Sequence, residues 1–271
     1  MIEQNDIFQE AEARGMVLSM VDDALTLTKG DLALSCDLSH MIPRVKAGKL
    51  PHEMLVKAAK IKGTGRAEAT DSTLDNGGAG ANIRAGTAGT LTAIDATAGF
   101  GEDSLLLAAT GFNVKLYEKD PIIAALLSDG LRRAAQVPEL AEIVGRMELM
   151  EGDSVAAMKA LAGSGPNAAP ETAGFAESSP APTAEPPDLI YLDPMFPQRQ
   201  KSGLIKKKFQ LLQQLERPCD DEAELLAAAI DAGPRKIVIK RPLKGPCLAG
   251  IKPGYTLYGK AIRYDCIAIP R

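Results

Sequence analysis

Short alternating apolar stretches open the chain. Residues 15 to 38, "GMVLSMVDDALTLTKGDLALSCDL", are broken by Asp-Asp and by Lys-Gly-Asp. Period-two spacing punctuated by turn residues predicts two or three short antiparallel strands. The next segment, "PRVKAGKLPHEMLVKAAKIKG", is basic, with a helical pattern from about Pro51 to Lys62. From residue 91 the rhythm changes. "LTAIDA", "NVKLYE", "RMELMEG", "DLIYLD" and "RKIVIK" are short apolar runs. "EDSLLLAAT", "PIIAALLSDGLRRAA", "DSVAAMKALA" and "EAELLAAAIDAG" carry helical spacing between them. Strand and helix in alternation predict parallel strands with crossover helices on both faces. "YTLYG" and "AIRYDCIAI" close the chain as a hairpin. The expected fold class is therefore α/β. It is Rossmann-like, with a mostly parallel seven-stranded sheet ending in an antiparallel hairpin, plus a small N-terminal β-rich domain.

Two stretches lack this patterning. Residues 63–90 are rich in Gly, Ala, Thr and Asn and read as a flexible linker. Residues 162–187 hold six prolines and few large apolar side chains, and read as a disordered insertion. The expected organisation is a small domain at 1–62, the linker at 63–90, and a main domain at 91–271 that carries the insertion.

Composition narrows the class. At 271 residues and 45% hydrophobic the chain can bury a core, and its net charge of −4 gives no global attraction to nucleic acid. Any such binding must use local patches. Four cysteines without CxxC spacing argue against a zinc site or a disulfide framework. The polar, acidic opening "MIEQNDIFQE" predicts no signal peptide, and no apolar run reaches the ~20 residues of a membrane span. The expected location is cytoplasmic, with neither membrane nor metal as a partner.

Chemistry concentrates at the strand ends. "AIDATAGFGED" ends a strand on Asp95, places Gly99 and Gly101 in the turn, and then starts a helix. Such a turn lets a ligand approach the backbone closely, although a plain strand-to-helix turn has the same residues. A dinucleotide fingerprint needs Gly or Ala where Ser104 stands. Asp95, Glu102 and Asp103 would also meet a pyrophosphate with carboxylates. S-adenosylmethionine carries an ammonium and a sulfonium and no phosphate, so the acids favour it over NAD. Glu118, about 20 residues past the glycine turn, stands where an acid accepts both ribose hydroxyls, with Lys119 beside the adenine edge. Asp153 and Ser154 follow the third strand, where they could bond the adenine amino group or simply cap a helix.

"DLIYLDPMF" puts Asp193 at the carboxyl end of the fourth strand. Asp-Pro-Met-Phe resembles the Asn/Asp-Pro-Pro-Tyr/Phe motif of methyltransferases acting on nucleobase amines. An exocyclic amine is a poor nucleophile because its lone pair is delocalised into the ring. Hydrogen bonds to the Asp193 carboxylate and the Pro194 carbonyl would orient it, and Phe196 offers a face for an extruded base. Read alone, the same residues make a proline-rigid turn.

Taken together, "DATAGFGEDSLLLA", "YEKDPIIAALLSDGL", "YLDPMFPQRQKSGLIKKKFQLLQ" and "KIVIKRP" closely resemble the RsmJ family, ribosomal RNA small subunit methyltransferase J. The resemblance covers roughly residues 91 to 271 and extends weakly to 15–62. It implies S-adenosylmethionine-dependent methylation of a guanine N2 amine near the 3′ end of 16S rRNA, with that rRNA or the small ribosomal subunit as partner. It implies donor contacts from Glu102–Asp103, Glu118–Lys119, Asp153–Ser154 and Asp193. Glu102 stands where the family often has Arg, and Asp153 where it often has Ser. Three basic clusters offer phosphate contacts: Arg44, Lys46, Lys49, Lys57, Lys60 and Lys62; Arg199, Lys201, Lys206, Lys207 and Lys208; and Lys236, Lys240, Arg241 and Lys244. The last two follow the fourth and fifth strands and should ring the mouth of the Asp193 site. The alternatives are another amine substrate (adenine N6 in DNA or RNA, a small molecule, a protein), a nicotinamide-dependent reductase, or an RNA-binding module without catalysis.

Overall fold

The structure, a computed structural model, describes residues 4–61, 90–163, 185–195 and 221–270, with Leu211 and Leu215. The segments read as linker and insertion fall mostly outside the described residues.

Helix α1 (Gln4–Ala13) leads into a three-stranded antiparallel sheet of β1 (Val17–Val21), β2 (Ala24–Lys29) and β3 (Leu32–Leu34). The first hairpin turns on Asp22 and Asp23, both left-handed (φ 48° and 61°), between the paired residues Val21 and Ala24. Two left-handed residues in a row are what a two-residue hairpin matching strand twist requires, and Asp tolerates that region better than most. Short helices α2 (Ile42–Val45) and α3 (Met54–Ala59) follow. The helix expected from Pro51 to Lys62 is shorter than its sequence pattern, because residues 50–52 form a 3-10 turn and Glu53 is extended.

The main sheet contains β4 (Thr92–Asp95), β5 (Asn113–Glu118), β6 (Met147–Glu151), β7 (Leu189–Leu192), β8 (Lys236–Pro242), β9 (Tyr255–Tyr258) and β10 (Ile262–Ala268). Its order is β6-β5-β4-β7-β8-β10-β9. The first five strands pair in parallel; β10 is antiparallel to both β8 and β9. The seven strands and the terminal hairpin are those the alternating pattern predicts. The connecting helices are α4 (Glu102–Ala109), α5 (Pro121–Ala134), α6 (Pro138–Val144), α7 (Ser154–Gly163) and α8 (Glu222–Asp231). The sequence pattern does not reveal α1 and α6. In α1 only Ile7, Phe8, Ala11 and Ala13 break a polar run, and α6 is barely two turns long.

All four residues of β7 are buried, and they alternate between two cores. Leu189 and Tyr191 face a cluster built with α4, α5, α6 and the N-terminal segment; Ile190 and Leu192 face one built with α7 and α8. Burial on both faces is why "LIYL" lacks polar alternation. The N-terminal sheet joins the first of these clusters through Leu18, Leu27 and Leu34. Its β2 is tied to α5 by the Leu25 N–H, which donates to Asp129 Oδ2 at 3.0 Å.

The far end of the sheet is held by a buried ion. Arg263 on β10 donates to Asp265 from Nε and Nη2, both at 3.0 Å. The same guanidinium reaches the carbonyls of Pro242, Leu243, Gly245 and Pro246, so it stitches the turn that follows β8.

One glycine sets the distance between the N-terminal segment and α5. A Cβ on Gly130 would lie 2.4 Å from Cys36 Sγ and 2.8 Å from Cys36 Cβ. In an isolated helix Gly→Ala is stabilising by up to about 1 kcal/mol. Here the clash reverses the sign, and Gly130→Ala is expected to lower stability by roughly 1–3 kcal/mol, read as a lower denaturant midpoint.

Candidate active site

Strand order reverses between β4 and β7, since their connections run to opposite sides of the sheet. Open α/β sheets bind ligands outside the carboxyl ends of the strands at such a point. Asp95 pairs with Tyr191 across that boundary, so the loops after β4 and β7 leave the sheet side by side. They are also bonded to each other. The Ala96 N–H donates to the Tyr191 carbonyl at 3.0 Å, and the Asp193 N–H donates to Thr97 Oγ1 at 2.7 Å.

The glycine loop is organised from beneath by Asp95. This carboxylate is 1% exposed and accepts from Ser104 Oγ at 2.6 Å and from the Thr97 N–H at 3.0 Å. Burial pushes its pKa up to about 7 against those two hydrogen bonds, and the charges of Asp103 and Asp193 add to the rise. Gly99 and Gly101 both take positive φ, 53° and 71°. At Gly101 a Cβ would meet Leu127 at 3.0 Å and Leu116 at 3.3 Å, so this glycine answers core packing as well as turn geometry. The Gly99 N–H donates to Glu118 Oε2 at 3.0 Å, and the Asp120 N–H donates to Glu118 Oε1 at 2.8 Å. Burial raises the Glu118 pKa against those bonds. Glu118 is thus a fixed carboxylate facing the loop. Beyond it, Asp153 pairs with Lys119 at 3.0 Å and accepts from the Val155 N–H at 2.9 Å as α7 begins. Burial raises the Asp153 pKa, but Lys119 and the helix amides outweigh it and the net direction is down. Ser154 beside it is buried.

Asp103 and Glu102 part company. Glu102 turns toward the N-terminal segment, with His40 Nε2 3.1 Å from its carboxylate. Asp103 turns inward. It accepts from Tyr191 Oη at 2.6 Å and from Lys240 Nζ at 2.7 Å. The same ammonium lies 2.9 Å from Asp193 Oδ2. Lys240 therefore bridges two carboxylates at the mouth of the switch point. Burial disfavours its charge, but the two facing acids outweigh that and hold its pKa above the ordinary range. Pro194 is buried directly after Asp193, while Met195 is 37% exposed.

Three cations expected to grip phosphate are engaged by partners within the fold. Lys240 is committed to Asp103 and Asp193. Arg241 is 1% exposed; its guanidinium donates to the Pro246 carbonyl at 3.0 Å and pairs with Glu222 at 3.3 Å. Lys236 is buried against the carbonyls of Ala58 and Lys60. The physical reason is common to all three. They belong to β8, an interior strand, so a basic run there is a set of buried partners rather than a charged rim. Phe196, Arg199, Lys201, Lys206, Lys207 and Lys208 lie outside the described residues. Sequence reasoning does not find Tyr191 and Thr97. The available signal for Tyr191 is its place two before Asp193, on one face of the same strand.

A family model described as putative SAM-dependent methyltransferase matches residues 78–169 and 172–269. The chain belongs to that family. Curated relatives include ribosomal RNA small subunit methyltransferase J of Pseudomonas fluorescens, 44% identical over 172 residues (64% of this chain, 58% of that protein). The protein of the same name from Dechloromonas aromatica is 42% identical, over 64% of this chain and 62% of its own length. The matched region thus spans under two thirds of these relatives. Among solved structures, a SAM-dependent methyltransferase from Neisseria gonorrhoeae aligns over 94% of this chain and 83% of its own, with TM-score 0.63 and 27% identity.

The residues present fit S-adenosylmethionine. Glu118 offers a held carboxylate for a diol, and its negative charge beside the glycine loop opposes a pyrophosphate. No group of three or more His, Cys, Asp or Glu among the described residues is placed to hold a metal ion. Among them, no helix is long and apolar enough to cross a membrane.

Asp95 carries a pH signature. Unfolded, this acid releases its proton near pH 4; folded, it holds the proton to about pH 7. The native state binds more protons across that window, so Asp95 lowers stability as pH rises through it. Asp95→Asn keeps the shape and the acceptor for the Thr97 N–H, makes the Ser104 hydroxyl the acceptor of its pair, and removes the titration. Denaturant midpoints at pH 5 and pH 7.5 should show the variant gaining on the wild type at the higher pH.

Proposed function

We propose that this chain methylates the exocyclic N2 amine of a guanine in small-subunit ribosomal RNA, working in the cytoplasm on 16S rRNA or the small ribosomal subunit. The observation that carries the reading is the pair Asp193–Pro194 at the carboxyl end of β7, bonded to the glycine loop through Thr97 and clamped by Lys240. The names of the curated relatives support the RNA substrate; the motif chemistry supports an amine.

S-adenosylmethionine supplies, when bound, an electrophilic methyl carbon on a sulfonium. The chain's residues do the rest by placement. Glu118 would accept the ribose hydroxyls, and Lys119, Asp153 and Ser154 would hold the adenine end. Gly99 and Gly101 admit the backbone to close contact. Asp95 holds the loop in shape from below and does not itself reach the ligand. Asp103 contributes through Lys240 rather than by direct contact, and Glu102 through its backbone N–H. The target amine donates hydrogen bonds to the Asp193 carboxylate and the Pro194 carbonyl, which aim the nitrogen at the methyl carbon. Phe196 stacks on the extruded base. Transfer of that methyl group to the held amine would form the N–C bond at the expense of the C–S bond, with the amine proton lost to solvent. Lys240 is a positioning residue here. It fixes the Asp193 carboxylate in one orientation, and Asp103 with Tyr191 fixes Lys240. Holding reactants in line supplies much of the acceleration in such a reaction.

Labelled S-adenosylmethionine incubated with undermethylated small subunits should place label on 16S rRNA at guanine N2. Asp193→Ala should cut transfer roughly 100-fold or more. Label appearing only on DNA or protein would move the reading to another amine.

Lys240→Met should lower kcat by roughly 10–100-fold while S-adenosylhomocysteine affinity by calorimetry stays within a few-fold. Lys240→Arg should recover part of the loss, because it restores the cation between two acids. Full kcat in Lys240→Met would remove the positioning role.

A further inference from the structure

Beside the site lies a further group of basic side chains that the reading above does not use. Arg44, Lys49, His52, Glu53 and Met54 face Ile262 and Tyr264 of β10 across an open cleft of about 360 Å³. Arg44 spends its charge within the cleft wall, since Nε and Nη2 pair with the two oxygens of Glu53 at 2.9 and 2.8 Å. Lys49 and His52 are both exposed. With Arg44 matched by Glu53, Lys49 gives the wall its net positive charge in a chain whose net charge is −4, and the His52 ring adds a hydrogen-bonding group beside it.

Its location matters more than its sign. Tyr264 is the register partner of Lys240. Residues opposed on neighbouring strands point to the same face, with backbones about 5 Å apart. The floor of the cleft thus adjoins the ammonium that clamps Asp193. Tyr264 feels the charges of Asp103, Lys240 and Asp193, and Arg44 those of Asp103 and Glu102. A strand of RNA whose target base enters at Asp193 must run its backbone over one side of this mouth. The acids at the glycine loop repel it there, and the cleft offers the opposite sign.

We propose that the cleft between residues 44–54 and β10 seats the sugar–phosphate backbone of single-stranded RNA adjoining the target nucleotide, a site that rests on the reading of the chain as an RNA methyltransferase. Lys49 and His52 bind phosphate. Met54 and Ile262 lie along the ribose edge. The Arg44–Glu53 fork keeps Arg44 in place as the cleft's inner wall. Such contacts set the register of the strand and read no sequence.

The test is direct RNA binding by the full chain, measured on a single-stranded fragment of 16S rRNA across a salt series, alongside methyl transfer. Lys49→Ala with His52→Ala should weaken RNA binding roughly 3–10-fold and reduce the salt slope by about 0.7 for each phosphate that is no longer neutralised. Lys49→Glu should weaken it further. Affinity for S-adenosylhomocysteine should not change, which reports that the variants are folded. Lys115→Ala, on the exposed side of β5, removes one charge elsewhere and should leave RNA affinity and slope as in the wild type. Wild-type affinity and slope in the double variant would overturn the cleft while leaving the methyltransferase reading intact. Wild-type RNA binding without any transfer to rRNA would overturn the reading while leaving the cleft's readout valid. No RNA binding by the wild type would overturn both.

Discussion

The parallel pairing of β4 with β7 is the constraint on which the site depends. It joins two strands distant in sequence and makes the sheet reverse direction at their boundary. From that pairing come the neighbouring exits of the glycine loop and the Asp193 turn. The bonds between them, Ala96 to Tyr191 and Asp193 to Thr97, then fix their separation. Glu118 and Asp153 arrive through the next two strands in the same direction. A slip of one residue in β7 would send Tyr191 and Asp193 to the other face, away from Asp103 and Lys240.

Within that frame the arrangement of charge is unusual for an interior. Lys240 is largely withdrawn from water between two carboxylates, one of which also takes a hydrogen bond from a buried tyrosine. Replacing buried ion pairs with apolar residues is often neutral or stabilising. The triad is better understood as fixing geometry than as holding the fold together. Asp95 is similar. It is buried deeply enough to lose its charge readily, and its two bonds shape the loop above it.

Much of this is legible in the chain. Alternating periods announce seven strands and the terminal hairpin, and the strand ends locate Glu118, Asp153 and Asp193 on the loops at the carboxyl edge of the sheet. What fails does so for physical reasons. "KIVIKRP" shows two lysines and an arginine at spacings that a surface patch and a buried strand share, so Lys236, Lys240 and Arg241 pass for phosphate ligands. Only the third dimension shows that acids and carbonyls cover them. Sequence also marks Asp95 as the end of a strand but not which way its side chain turns, which is inward beneath the glycine loop. Conversely, the cleft around Lys49 combines residues from the N-terminal segment and from β10, more than 200 positions apart, and no local pattern links them.

Arg263 shows how far the demands of the site reach. Its guanidinium gathers four carbonyls of the turn after β8 and is itself neutralised by Asp265. That turn begins where Lys240 and Arg241 end. The last hairpin therefore braces the end of the strand that carries Lys240. A brace and its load cannot change independently. Surface loops elsewhere are free to lengthen or drift, while an arginine near the C-terminus must stay in step with a lysine on the next strand.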